Sequence, residues 1–158
     1  MIVRAAHACI GVRENPLGSN RGPQVDRWLR ESGLDASVIT AGNGYWCAAW
    51  AGAMWKFAGI QMPVGYYDCD VLWRWARETK RFVKKPGLGY MVLYGNAKKP
   101  DANHVGIVVE NVQNPVITVE ANTTIEGSAF ERNGTAVAVK LIQPSDPVLG
   151  YISVESVA

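Results

Sequence analysis

Residues 47–58 read CAAWAGAMWKFA, apolar nearly all round with Lys56 as the one charge. A helix without a polar face has to be covered on every side, so this run predicts a buried helix, closed by Gly59. Its alanines and Gly52 let other backbone come close. Upstream, 40–44 reads as a turn. Pro23 suits the first turn of a helix in which Val25, Trp28, Leu29 and Ser32 recur at helical spacing until Gly33 stops it. The stretch 11–22, with Asn15-Pro16, Gly18-Ser19-Asn20 and Gly22, reads as a loop, and 2–10 as a short helix. Downstream, another helix is predicted over 70–79. After Gly87 the pattern changes to runs rich in β-branched and aromatic residues at 90–94, 105–110, 116–121, 136–142 and 149–154. Turn residues separate them: Gly95-Asn96, Asn114-Pro115, Asn133-Gly134 and 144–147. Helices first and strands second argue for one α+β domain over 1–158 instead of alternating βαβ units. The short connections between strands argue for an antiparallel sheet.

Hydrophobic residues make up 48% of the chain and charged residues 19%, which excludes a disordered polymer. A net charge of +2 is too small to argue for nucleic acid as a partner. The opening MIVRAAHACIGVREN is interrupted by His7 and Gly11 and followed by charge. It reads as neither a signal peptide nor a membrane span, so membrane insertion is not expected and the chain is expected to start in the cytoplasm. Cysteines at 9, 47 and 69 do not make a disulfide framework.

Three places carry candidate chemistry. Cys47 follows the turn Gly42-Asn43-Gly44 and begins the buried helix. Unpaired N–H groups and the positive dipole end at a helix start lower a thiol's pKa. The same N–H groups suit the oxyanion formed when a thiolate attacks a carbonyl. His104 opens the strand HVGIVVE, where an imidazole at the edge of a core accepts the thiol proton and later protonates a leaving amine. Glu120 and Asn122, two apart on one strand, are predicted to share a face, and one or the other to orient the imidazole through its second nitrogen. Tyr45 and Trp46 flank the nucleophile and are candidates to line a substrate groove. Each residue alone also has a plain structural explanation: a buried thiol, a surface histidine, a solvated polar strand face. His7, Cys9 and Cys69 are read as structural. Trp28, Trp46, Trp50 and Trp55 are read as core rather than as a glycan platform, and Trp73 and Trp75 are left open.

Together, Trp46-Cys47-Ala48-Ala49, His104-Val105-Gly106-Ile107-Val108 and Glu120-Ala121-Asn122-Thr123 resemble a CHAP domain, the cysteine- and histidine-dependent amidohydrolase/peptidase family with a papain-like fold. Gly11-Val12-Arg13-Glu14 and 18–22 resemble the front end of phage-type, endolysin-like members. Leu149-Gly150-Tyr151 resembles the closing strand. The resemblance implies Cys47 as nucleophile, His104 as base, Glu120 orienting the ring and Asn122 supporting it. It implies bacterial peptidoglycan as partner and substrate, cut at muramoyl–L-alanine or within the stem peptide or crossbridge, after release or delivery of the protein to the wall. No cofactor is expected. Where the family commonly shows Gly-Asp, this chain has Gly89-Tyr90. Some members carry a calcium site of clustered aspartates before the nucleophile, but only Asp26 and Asp35 precede Cys47 here, far apart. Asp68-Cys69-Asp70 is read as a helix cap. The alternatives are a cysteine amidase or acyl transferase acting on a small soluble amide, and a non-catalytic wall-binding or phage structural module.

Overall fold

A computed structural model describes residues 1–99, 101–111, 115–124 and 133–157. Among them the chain forms helices α1 (Ile2–Ala8), α2 (Pro23–Glu31), α3 (Ala36–Thr40), α4 (Cys47–Phe57) and α5 (Cys69–Glu78). Strands β1 (Phe82–Val83), β2 (Met91–Asn96), β3 (Asp101–Glu110), β4 (Ile117–Thr123), β5 (Ala136–Leu141) and β6 (Val148–Ile152) follow. The strands make one antiparallel sheet in the order β1-β6-β2-β3-β4-β5. The α+β reading therefore holds. Of the predicted Asn114-Pro115 turn, Asn114 lies outside the described residues. Among the described residues, no helix is long and apolar enough to cross a membrane.

Helix α4 is the hub. Every residue from Cys47 to Trp55 is buried, and the helix packs against α1, α2, β3 and β4. Its small residues make this possible: a Cβ on Gly52 would lie 2.2 Å from the Tyr66 ring, so the aromatic ring occupies the place a side chain would take. One continuous core joins Trp28, Trp50, Trp55 and Leu72 of the helices to Leu93, Val105, Ile107, Val119 and Ala121 of the sheet. The opposite face of the sheet holds a smaller cluster of Val92, Tyr94, Val108 and Tyr151.

Two elements escape the sequence pattern. The five-residue helix α3 has no counterpart in the sequence reading: it ends at Thr40, the turn read over 40–44 follows from Ala41, and its N-cap Asp35 accepts the Ser37 N–H at 2.8 Å; so short a helix has no apolar period of its own. Strand β1 is two residues long and, among the described residues, pairs only with β6. The predicted helix over 70–79 begins one residue earlier, at Cys69. Asp68 caps it, accepting the Asp70 N–H at 2.8 Å, as the Asp-Cys-Asp spacing implies. Strand β3 begins at Asp101, so His104 sits inside the strand instead of opening it.

Candidate active site

Cys47 is the first residue of α4. The first hydrogen bond of that helix runs from Trp50 N–H to the Trp46 carbonyl at 3.0 Å, so the N–H groups of Cys47, Ala48 and Ala49 precede the helical ladder. Trp46 holds this tip in place. Its ring is fully buried, stacks on Trp28 with centroids 5.9 Å apart, and donates Nε1–H to Glu14 at 2.9 Å. The expectation that Trp46 lines a substrate groove is thereby corrected: it neighbours the nucleophile in sequence but points into the core. Tyr45, 46% exposed, does line the cleft beside Cys47.

The imidazole and its carboxyl come from adjacent strands. Gly106 of β3 lies directly opposite Glu120 of β4, and His104 is two residues from Gly106 on the same face. Glu120 therefore reaches diagonally, and its Oε2 meets His104 Nε2 at 2.8 Å with both side chains fully buried. The reach crosses ground that only glycine leaves open: a Cβ on Gly106 would stand 2.7 Å from Glu120 Cγ. The glycine of His-Val-Gly thus has a physical task. Glu120 Oε1 accepts two further hydrogen bonds, from the Tyr94 hydroxyl at 2.7 Å and the Thr118 hydroxyl at 2.8 Å. Burial, and then the charge of Glu120, push the Tyr94 hydroxyl well above its ordinary range, so it remains a donor.

Sequence reasoning missed Tyr94 and Thr118. Thr118 was within reach of it, being two residues before Glu120 on one strand; Tyr94 requires the β2–β3 register, in which it faces His104.

Asn122 departs from expectation. The β4–β5 register shifts between Glu120 and Thr123, and Asn122 has φ of 54°. This bulge breaks the alternation on which a shared face depended. Asn122 is buried nearby, while the hydrogen-bond partner of Nε2 of His104 is Glu120.

With Nε2 engaged by Glu120, Nδ1 of His104 has no hydrogen-bond partner among the described residues, and the Cys47 thiol is near enough for the two groups to influence each other's charge. The electrostatics of the two groups run in opposite directions. Cys47 is held well below the usual thiol range: the hydrogen bond with Cys69 is the largest cause, burial opposes it, and the pull of the nearby His104 adds to it. Burial pulls the His104 pKa down, but Cys47 and Glu120 outweigh it and raise it to about 10. Both shifts favour the charged form of the pair, thiolate beside imidazolium.

Cys69, expected to be structural, is a member of the site. Its sulfur lies 3.9 Å from that of Cys47. Both thiols line a cleft of about 360 Å³ together with Tyr45, Tyr67, Asp68, Asp70 and Asp101. The charged residues among its described lining are all acidic, which favours neutral or cationic groups in the cleft over anionic ones. Asp70 also accepts the Ala102 N–H at 2.7 Å, tying the start of α5 to β3 just before His104. All three cysteines are free; Cys9 lies 3.8 Å from the sulfur of Met54, and His7 is exposed on α1.

In comparisons with known proteins, no family model, no curated protein and no solved structure matches this chain.

Proposed function

We propose that the protein is a cysteine amidohydrolase of papain-like architecture that cuts an amide bond of bacterial peptidoglycan. The observation that carries the chemistry is the buried Glu120–His104 pair, whose second ring nitrogen is left open, together with a thiol at a helix start whose charged form that ring favours. In the proposed reaction the Cys47 thiolate attacks the amide carbonyl and forms a C–S bond. The N–H groups at the start of α4 receive the developing oxyanion. The imidazolium of His104 gives its proton to the departing amine as the C–N bond breaks. His104, now neutral, takes a proton from water, the resulting hydroxide attacks the thioester, and the acid leaves as the thiolate re-forms. Glu120 keeps Nδ1 directed at the sulfur throughout and stabilises the charged ring.

The choice of substrate is supported by the resemblance of the Trp-Cys, His-Val-Gly and Glu-Ala-Asn stretches to CHAP domains. The test is digestion of purified peptidoglycan followed by mass spectrometry of the fragments. New amine and carboxyl ends at a single type of linkage, lost in Cys47→Ala while the circular dichroism spectrum is kept, support the reading. An unchanged muropeptide profile with wild-type protein rejects the substrate, and undiminished cleavage by Cys47→Ala rejects the nucleophile.

A further inference from the structure

Amide hydrolysis makes and breaks bonds at one thiol of the cleft and uses the other only through its hydrogen bond. We propose that Cys47 and Cys69 form an oxidative modification site, in which a hydroperoxide converts the two thiols into a disulfide across the cleft. The first residues of α4 and α5 are these two cysteines, and the helices bring their sulfurs to 3.9 Å. Closing to the roughly 2.05 Å of a disulfide asks for less than one bond length of movement by each side chain. Both sulfurs line the same cleft, so a small oxidant reaches them by the route open to substrate. Cys9 lies elsewhere, against Met54.

The two thiols differ in the way such chemistry requires. Cys47, depressed by Cys69 and His104, is the attacking sulfur. Cys69, raised first by its hydrogen bond to Cys47 and then by burial, keeps its proton until it is called on. In the first step the Cys47 thiolate attacks the terminal oxygen of the hydroperoxide. An S–O bond forms, the O–O bond breaks, and the leaving alkoxide takes the imidazolium proton to depart as an alcohol. In the second step the Cys69 sulfur attacks the Cys47 sulfenic acid. An S–S bond forms, the S–O bond breaks, and the departing hydroxide leaves as water with the Cys69 proton. Two thiols lose two electrons in all, and the hydroperoxide gains them. A nearby second sulfur in this way stops Cys47 before it reaches the sulfinic and sulfonic acids, which thiols do not reduce. The inference rests on Cys47 being a reactive thiolate and not on which amide it cuts.

The experiment treats reduced full-length protein with hydrogen peroxide, alkylates the remaining thiols, and maps the peptides by mass spectrometry without reduction. The expected result is loss of two alkylatable thiols, a peptide pair linked through Cys47 and Cys69, Cys9 still alkylated, and full return of the thiols with dithiothreitol. In Cys69→Ser the bridge is lost and Cys47 proceeds to sulfinic and sulfonic forms that dithiothreitol does not reverse. Absence of the linked pair in the wild type, or irreversible oxidation of Cys47 as readily in wild type as in Cys69→Ser, overturns the proposal. The wild-type map decides it even where the serine variant fails to fold. Because the readout is covalent mass, it stands apart from any failure of the wall-digestion assay.

Discussion

Glu120 accepts from three groups at once: His104, Tyr94 and Thr118. A buried carboxyl held by three donors keeps one orientation, and that orientation aims the ring of His104. The charge matters as much as the aim. The ion pair requires the thiolate, present above the lowered pKa of Cys47, and the imidazolium, present below about 10. Activity is therefore expected to hold steady across neutral pH and to fall on an alkaline limb near 10 in a kcat/KM profile. Glu120→Gln keeps the shape and removes the charge that helps raise His104. That variant is expected to lose about 10²-fold or more in kcat and to move the alkaline limb to lower pH. The same titration followed by NMR of the His104 ring checks the assignment. Gly106→Ala places a methyl against the Glu120 side chain. Overpacking of that kind costs about 1–3 kcal/mol, so a lower melting temperature together with reduced kcat is expected, read by calorimetry and steady-state kinetics. Cys47 and Glu120 were legible from sequence at this scale, because a helix start and a strand carry local signals. Cys69 was not: its part depends on two helix ends meeting, and nothing near it in the chain announces that.

The elements divide the site between them. Helix α4 brings the sulfur, β3 the imidazole, β4 the carboxyl, and α5 the second thiol and an acidic rim. Asp70 is the tie between α5 and β3. Asp70→Ala removes a charged acceptor from a backbone N–H, a loss of about 1.5–3 kcal/mol when such a bond is well shielded and less at a half-buried site such as this. The expected outcome is a small fall in stability with a larger rise in KM, since β3 just before His104 loses its anchor to the cleft wall; denaturant melts and KM measurements separate the two effects. Long elements with an unbroken pattern were readable: the apolar run of α4 and the β-branched runs of β2 to β6. Helix α3 and strand β1 were not, since five and two residues are too few to show a period. The bulge at Asn122 was equally hidden, because alternation in the sequence continues through it while the register does not.

At the scale of the molecule, one core runs through the helices and the sheet, with α4 at its centre. A chain whose site and core share the same central helix is expected to lose both together. Urea unfolding followed by tryptophan fluorescence, by far-ultraviolet circular dichroism and by reactivity of Cys47 should give coincident transitions with a single midpoint. An early rise in Cys47 reactivity would instead show that the cleft opens ahead of the core. The α+β class and the antiparallel sheet followed from the order and spacing of patterns along the chain. The strand order did not: β6 inserts between β1 and β2, a long-range pairing that hydrophobic patterning leaves unspecified.

The bare backbone at Gly106 carries a lesson for anyone who would build such a relay afresh. Grafting a histidine and a glutamate onto neighbouring strands of another scaffold supplies the reactive groups and still leaves the diagonal blocked. The blueprint must also subtract a side chain from the position between them, and that omission is as much a working part as the groups it admits.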